Sequence, residues 1–245
     1  MHVSQEAPHI FTDFNGVLDD IERVRQRLWV KAMKEHHRNV DPSRLLDLVN
    51  LKEEHFAVTL GRLPEDYMPR LESQFILSCD VRFAPNMEAV KELRDKLLKE
   101  IVGSDYAGWP KKPGFDEFID LVREPGCPKP FIVTSQERGL TCAILSAWGV
   151  PSDTFEIVSR ENVNCNKPNP EGYLFAMDQA NTERGVALED SEVGLQAIRA
   201  VSVYDNSASL MAIQVDPMYG VSRLAHYSVS DLAGVTQGIR NRDFQ

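Results

Sequence analysis

Apolar and charged residues are interleaved in two different ways along the chain, and the first extends from residue 19 to about residue 104. Here apolar residues recur every three or four positions among Arg, Glu and Lys, which is the spacing of an amphipathic helix. The pattern predicts helices and no strand over this block, at residues 19–37, 42–51, 71–77 and 87–101. Such a block favours a helical bundle or cap over a βαβ unit.

Beyond residue 104 the pattern changes, because a Gly- and Pro-rich linker at residues 108–114 leads into short apolar runs that alternate with helical segments. The predicted strands are 131–133, 155–158, 186–188, 211–215 and a short strand at 226–229. The predicted helices are 115–123, 139–148, 170–179, 193–200 and one that begins at Asp231. Alternation at this spacing predicts a parallel sheet with helices on both faces.

The stretch at residues 9–18, HIFTDFNGVL, supplies one more strand near the start of the chain. Its apolar run ends at Asp13, and Asn15-Gly16 then turns the backbone. Ligands of open α/β sheets bind at the carboxyl ends of the strands, so Asp13 is a candidate functional group. The alternative is a β-hairpin turn at Asn15-Gly16, with Asp13 as a solvated turn residue.

Together these patterns predict an α/β fold with an insertion. Residues 1–18 and 105–245 form the predicted core, a Rossmann-like, doubly wound parallel sheet, and residues 19–104 form an inserted α-helical domain. The length of 245 residues suits one core domain with one insertion.

Charge and cysteine content narrow the function classes. A net charge of -10 argues against a general affinity for nucleic acid or anionic membranes, but a small phosphorylated ligand can bind where cations overcome that field. The cysteines lie at no spacing typical of zinc sites or disulfides, which predicts reduced thiols at Cys79, Cys127, Cys142 and Cys165. Without a leader or a long apolar run, the sequence predicts a soluble, cytoplasmic protein. None of these features indicates an oligomeric state.

Polar side chains follow several of the predicted strands. Asp13 follows the first, Thr134-Ser135 follow the next, and Glu189-Asp190 follow the strand of GVALED. Lys167 precedes the helix that leads into that last strand. In a parallel sheet these groups would converge at one edge as a nucleophile, a hydroxyl, a cation and two further carboxylates. Each also has a purely structural explanation, as a helix cap or a solvated loop residue.

Four segments carry a resemblance to a known family. They are DFNGVL at 13–18, IVTS at 132–135, KPNPEGY at 167–173 and LEDSEVGLQAI at 188–198. In this order they resemble the four motifs of the haloacid dehalogenase superfamily, in its branch with a helical cap inserted after the first motif. The resemblance covers essentially the whole chain, and KPxPExY and EDSxxG are its most specific matches.

The resemblance implies a Mg²⁺-dependent phosphohydrolase of a small phosphorylated metabolite. Asp13 would attack phosphorus and form an aspartyl-phosphate that water later cleaves. Mg²⁺ would be held by Asp13, the main-chain carbonyl of Asn15, Glu189 and Asp190, because a hard cation prefers oxygen ligands.

The resemblance also assigns the groups that hold the phosphate. Thr134 and the backbone amides of Asn15, Gly16 and Ser135 would hold the transferring oxygens, and Lys167 would neutralise charge beside the nucleophile. The helical cap would close over the substrate and carry most of the selectivity.

Asn15 departs from the family's pattern. Members that hydrolyse phosphate esters carry an aspartate here, which protonates the leaving group, whereas a carboxamide does not transfer protons. Four interpretations stay open: a deliberately disabled enzyme, a substrate with a good leaving group, a binding or regulatory protein without turnover, and partial deamidation of Asn15 to aspartate. A phosphomutase of the same architecture and a catalytically silent phosphate-binding protein are therefore the alternatives to the phosphohydrolase.

Overall fold

The computed structural model describes residues 7–40, 87–217 and 220–244. The chain divides into two compact units, one formed by Met1–Asp20 with Pro110–Gln245 and one formed by Ile21–Trp109. The helices predicted at 42–51 and 71–77 and the cysteine at position 79 lie outside the described residues. Within the described part of the chain, no helix is long and apolar enough to cross a membrane.

The described strands and helices follow the predicted alternation. The strands are β1 (Ile10–Thr12), β2 (Phe131–Val133), β3 (Glu156–Val158), β4 (Arg184–Glu189), β5 (Ser209–Val215) and β6 (Tyr227–Val229). The helices are α1 (Ile21–Val40), α2 (Met87–Val102), α3 (Phe115–Val122), α4 (Arg138–Ala147), α5 (Glu171–Gln179), α6 (Glu192–Tyr204) and α7 (Leu232–Asn241). A short 3₁₀ helix occupies Arg160–Asn162.

The larger unit contains one six-stranded sheet in the order β3-β2-β1-β4-β5-β6. All neighbouring strands pair in parallel, so the prediction of an α/β fold is confirmed. Because β1 pairs in parallel with both β2 and β4, the alternative of a hairpin turn at Asn15-Gly16 is wrong. The strand order reverses between β1 and β4, and the carboxyl ends of two strands at such a point border a ligand-binding crevice.

Apolar side chains on one face of the sheet hold the strand ends in place. Phe11 of β1, Ala187 of β4 and Ala212 of β5 are fully buried there, and they belong to one cluster with Leu195 and Ile198 of α6. Central parallel strands are covered by helices on both faces, which explains why their sequences are apolar throughout rather than alternating.

The smaller unit is helical at residues 21–40 and 87–102, as predicted, and its remaining described residues, 103–109, form turns. Its helices α1 and α2 pack through buried apolar side chains at helical spacing: Leu28, Trp29, Ala32, Met33, Val90 and Leu97. The Arg94 guanidinium lies 4.5 Å from the centre of the Trp29 ring, which adds a cation–π contact to this small core.

Buried Lys112 joins the two chain segments at the boundary of the larger unit. Its Nζ donates to Asp20 Oδ1 at 3.0 Å and to Asp216 Oδ2 at 2.8 Å. The backbone N–H groups of Asp20 and Lys112 donate to the carbonyls of Pro110 and Leu18. Burial lowers the pKa of Lys112, but its hydrogen bonds and both carboxylates outweigh burial and raise the pKa above its usual value. These contacts tie the first and last residues around the insertion to the end of β5.

Candidate active site

Asp13 lies directly after β1, at the carboxyl edge of the sheet. Its backbone N–H donates to the carbonyl of Leu188 at 2.9 Å, so the β1–β4 pairing fixes its position. The side chain is buried, and burial raises the pKa of the Asp13 carboxyl from 3.8 to about 7. Lys167 opposes that rise and Glu189 adds to it. The charge of this carboxylate therefore depends on the cations beside it.

The turn after β1 brings Asp190 against the backbone. Gly16 has a φ of +81°, which favours glycine, and an ideal Cβ on it would lie 2.0 Å from Asp190 Oδ2, so a larger residue must displace the Asp190 carboxylate. Its N–H donates to Asp19 Oδ1 at 2.8 Å. Beside it, Asn15 Oδ1 is buried and accepts no hydrogen bond from any residue that the structure describes. The turn therefore holds one buried acceptor that the described residues do not satisfy.

Glu189 ends β4 and is fully buried. Its Oε1 accepts hydrogen bonds from Lys167 Nζ at 2.5 Å and from the Tyr173 hydroxyl at 3.4 Å. Its Oε2 accepts from the backbone N–H groups of Asp190 and Ser191 and from Ser191 Oγ, at 3.1, 3.2 and 3.0 Å. Donors to both oxygens fix the orientation of this carboxylate and compensate for its burial.

Lys167 lies between the carboxylates of β1 and β4. Its Nζ is 3.1 Å from Asp13 Oδ1 as well as 2.5 Å from Glu189 Oε1, and only 7% of its side chain is exposed. The interpretation of Lys167 as a solvated loop residue is therefore wrong. Burial alone lowers a lysine pKa, but the two carboxylates outweigh burial and hold the pKa of Lys167 well above its usual value. Lys167 is thus a buried ammonium ion.

The loop that carries Lys167 is held by the first turn of α5. The Glu171 carboxylate accepts the backbone N–H groups of Asn164 and Cys165, both at 2.9 Å. The backbone N–H of Glu171 donates to Asn169 Oδ1 at 2.9 Å. These local bonds set the path of the loop on both sides of the lysine.

Thr134 and Ser135 follow β2 at the same edge. The backbone N–H of Thr134 donates to the carbonyl of Val158 at 2.9 Å, and its Oγ1 accepts from the N–H of Gln136 at 3.1 Å. Neither residue caps α4, whose N-cap is Glu137. Thr134, Ser135 and Lys167 line one cavity of about 20 Å³, enough for a single water molecule.

Three carboxylates at this edge could hold a metal ion. Asp13, Glu189 and Asp190 each offer an oxygen atom, and these atoms lie within 4.8 Å of one another. A set of oxygen ligands alone fits a hard divalent cation better than a thiolate- or imidazole-seeking metal. The cluster and Lys167 together form a compact arrangement of opposite charges.

The structure thus brings four of the predicted site residues together, Asp13, Lys167, Glu189 and Asp190. Thr134 and Ser135 share a cavity with Lys167, and Asn15 and Gly16 form the turn beside Asp190. The sequence analysis assigned no role in the site to Tyr173 or Ser191, which donate to Glu189, or to Glu171, which holds the lysine loop. It considered Ser191, with Asp190, only as a helix cap, and Ser191 is the N-cap of α6. A tyrosine and a glutamate within the KPNPEGY segment were the available signals for two of them.

The first turn of α6 lies in direct contact with Glu189. Ser191 is the N-cap of α6, and its Oγ accepts the Gly194 N–H at 3.1 Å while it donates to Glu189 Oε2. An ideal Cβ on Gly194 would lie 1.7 Å from Glu189 Oε1. A larger residue must therefore displace the carboxylate.

Replacing Gly194 by alanine should lower the free energy of unfolding by about 1–3 kcal/mol, the usual range for overpacking. Gly139 in α4 is the matched control, because nothing lies within 4 Å of its ideal Cβ. Gly139→Ala should raise the free energy of unfolding by up to about 1 kcal/mol through helix propensity. Urea unfolding of both variants measures the difference, and equal stabilities would contradict the close approach at Gly194.

Comparison of the sequence with models of known protein families identifies the family of this chain. A sequence model of the haloacid dehalogenase-like hydrolase family matches residues 8–202. The chain therefore belongs to the haloacid dehalogenase-like hydrolases, and the family predicted from its motifs is confirmed.

One curated relative and several solved structures are similar to the chain. An uncharacterized protein in the fgs 3' region of Lacticaseibacillus casei is 23% identical over 132 residues, which cover 47% of this chain and 61% of that protein. The match thus spans less than two thirds of the relative's length.

The similar solved structures cover nearly the whole chain. A hydrolase from Pseudomonas syringae has a TM-score of 0.67 at 16% identity, covering 96% of this chain and 98% of its own. Beta-phosphoglucomutase from Clostridium difficile has a TM-score of 0.61 at 15% identity, covering 98% of this chain and 100% of its own. CbbY from Rhodobacter sphaeroides, in complex with phosphate, has a TM-score of 0.59 at 20% identity, covering 94% and 96%. At these identities the likeness concerns the fold alone.

Proposed function

We propose that the chain is a Mg²⁺-dependent phosphohydrolase that acts on a small phosphorylated metabolite through an aspartyl-phosphate on Asp13. The observation that carries the proposal is the placement of buried Asp13 at the strand-order reversal, 3.1 Å from the Lys167 ammonium. A buried carboxylate paired with an ammonium ion and bordered by two further carboxylates suits a nucleophile beside a cation site.

In the first step an Asp13 carboxylate oxygen forms a bond to phosphorus, and the bond from phosphorus to the leaving-group oxygen breaks. Lys167 favours the ionised form of Asp13, which burial disfavours. The Thr134 hydroxyl and the backbone amides of Asn15 and Ser135 hold the phosphoryl oxygens. The Gly16 amide joins them when it exchanges its bond to Asp19 Oδ1 for one to the phosphoryl group. In the second step water attacks phosphorus, and the Asp13 carboxylate and inorganic phosphate are released.

The residues present fit a divalent cation, because three carboxylates converge within 4.8 Å. Asp13, Glu189, Asp190 and the carbonyl oxygen of Asn15 would hold Mg²⁺, which supplies positive charge between the carboxylates and the phosphoryl group when bound. The unit Ile21–Trp109 would serve as the cap that excludes water and selects the substrate; the sequence predicted this cap at residues 19–104.

A panel of phosphorylated small molecules, assayed with Mg²⁺ for release of inorganic phosphate, tests the proposal. We expect release from some members of the panel by the chain and faster release from alkyl esters by Asn15→Asp. If phosphate is transferred within a sugar phosphate and not released, the phosphomutase alternative is correct. Phosphate-dependent thermal stabilisation without turnover by either protein would support a binding protein instead.

A further inference from the structure

The groups that can donate a proton near Asp13 are few in the described part of the chain. Around the Asn15-Gly16 turn and the cavity beside Lys167 they are the Asn15 amide, the Thr134 and Ser135 hydroxyls, the Lys167 ammonium and the Tyr173 phenol. The buried Asp19 carboxylate there accepts the Gly16 N–H through Oδ1 at 2.8 Å. The two histidines with described side chains, His9 and His226, directly precede β1 and β6 and thus lie at the amino ends of the strands. In a parallel sheet this is the edge opposite Asp13.

The ionisable donors among these groups are already engaged. Lys167 donates to Glu189 and contacts Asp13, and the Tyr173 hydroxyl donates to Glu189. Ammonium and phenol groups have ordinary pKa values of about 10, whereas an efficient general acid has a pKa near the working pH. These two side chains therefore stabilise charge but are poorly suited to protonate a leaving group.

Asn15 occupies the turn directly after the nucleophile and carries a carboxamide. This group offers hydrogen bonds but no transferable proton at neutral pH. Its buried Oδ1 accepts no hydrogen bond from the described residues, and an unpaired buried acceptor is unfavourable. A bound molecule or water that offers a donor would satisfy it. Position 15 is thus arranged for hydrogen bonding and not for proton transfer.

The need for a proton depends on what leaves phosphorus. Cleavage of an alkyl phosphate expels an alkoxide, which is nearly as basic as hydroxide and therefore departs slowly unless it is protonated. Cleavage of a phosphoric anhydride expels a phosphate group, which is a stable anion near neutral pH, and cleavage of an acyl phosphate expels a carboxylate, with a pKa of about 4. These two anions leave without protonation at neutral pH.

We propose that the substrates of this chain are phosphoric anhydrides or acyl phosphates, whose leaving groups depart as stable anions, and not alkyl phosphate esters. The inference rests on the proposed phosphohydrolase function. The bond from Asp13 to phosphorus forms while the bond from phosphorus to the leaving oxygen breaks, and the leaving group keeps the electron pair. No proton moves in that step. Water then cleaves the aspartyl-phosphate, the Asp13 carboxylate leaves as an anion, and the protons of water pass to the released phosphate and solvent.

Leaving-group dependence tests this inference directly. The substrates are dinitrophenyl, p-nitrophenyl, phenyl and alkyl phosphates together with pyrophosphate and acetyl phosphate, all assayed with Mg²⁺. The measured quantity is kcat/KM, which reports phosphoryl transfer to Asp13 whatever the rate of the second step. Peptide mass spectrometry verifies the Asn15 amide, which removes deamidation as a cause of turnover.

We expect kcat/KM to fall steeply as the leaving group becomes more basic. Pyrophosphate, acetyl phosphate or both should exceed alkyl phosphates by about 10²- to 10⁴-fold, the usual contribution of a general acid. Activity with pyrophosphate alone would identify phosphoric anhydrides as the substrate class, and activity with acetyl phosphate alone would identify acyl phosphates. Asn15→Asp should raise kcat/KM for alkyl phosphates by a similar factor. It should change kcat/KM for dinitrophenyl phosphate by about a few-fold at most, because that leaving group needs no proton. Asn206→Asp, at an exposed position, is the matched control. It should leave kcat/KM unchanged for both alkyl phosphates and dinitrophenyl phosphate.

Two results would overturn the inference in distinguishable ways. Turnover of every substrate with a shallow leaving-group dependence would indicate a proton donor elsewhere in the chain, and the phosphohydrolase function would stand. No turnover of any substrate would overturn that function and the inference with it. The leaving-group dependence of kcat/KM is measured on the unmodified chain. It therefore tests the inference even if the Asn15→Asp variant fails to fold.

Discussion

Asp13→Asn should lower kcat for phosphate release by about 10⁴-fold or more, the order seen when a covalent nucleophile is removed. The carboxamide has nearly the shape of the carboxylate, but it is a poor nucleophile and forms no aspartyl-phosphate. Lys167 keeps its partner in Glu189 at 2.5 Å, so the variant should fold. Phosphate release and the mass of a trapped phosphoryl adduct measure the effect.

The control for this prediction is Asp120→Asn. Asp120 lies exposed on α3, and the substitution changes the net charge of the chain in the same way. It should leave turnover unchanged within about twofold, since exposed substitutions away from a site have small effects. An Asp13→Asn variant that retains a tenth or more of the activity would show that another group attacks phosphorus.

Removal of divalent cations by EDTA should abolish turnover, and added Mg²⁺ should restore it. Asp190→Asn should raise the Mg²⁺ concentration for half-maximal activity at least about 10-fold, because it removes one of three converging carboxylates. A second readout is independent of activity: Mg²⁺ should raise the Tm of the chain by mass action and raise that of Asp190→Asn less.

Asp178→Asn is the matched control for the metal prediction, because Asp178 is exposed on α5. Its Mg²⁺ dependence should equal that of the unmodified chain. Full activity in EDTA, or an unchanged Mg²⁺ dependence in Asp190→Asn, would show that the cluster around Asp13 binds no catalytic cation.

Most elements of the larger unit were predicted from the sequence, and the errors lie at their ends. β2 was predicted at its observed bounds, residues 131–133, because its apolar run is short and sharply bounded. β4 was predicted at 186–188 but extends over Arg184–Glu189. Its polar end residues, Arg184 and Glu189, pair with Ser209 and Gln214 of β5. A local hydropathy pattern cannot predict such pairing with a distant strand.

Helix α6 illustrates the same limit. It was predicted at 193–200, and it extends over Glu192–Tyr204 because no glycine or proline interrupts the turns after residue 200 and Val201 is buried in the core. The connection between α6 and β5 is therefore only residues 205–208. Packing of apolar side chains against the sheet stabilises helical turns that local propensity alone does not predict.

The sequence by itself determined the order of the chemical groups at the strand ends: Asp13, Thr134-Ser135, Lys167 and Glu189-Asp190. Only the tertiary structure decided that Lys167 contacts two carboxylates, that Tyr173 and Ser191 orient Glu189, and that Asp13 is buried enough to raise its pKa. The physical reason is that periodicity and turn residues are local properties, whereas distances between side chains 150 residues or more apart, such as Asp13 and Lys167, depend on parallel pairing and packing.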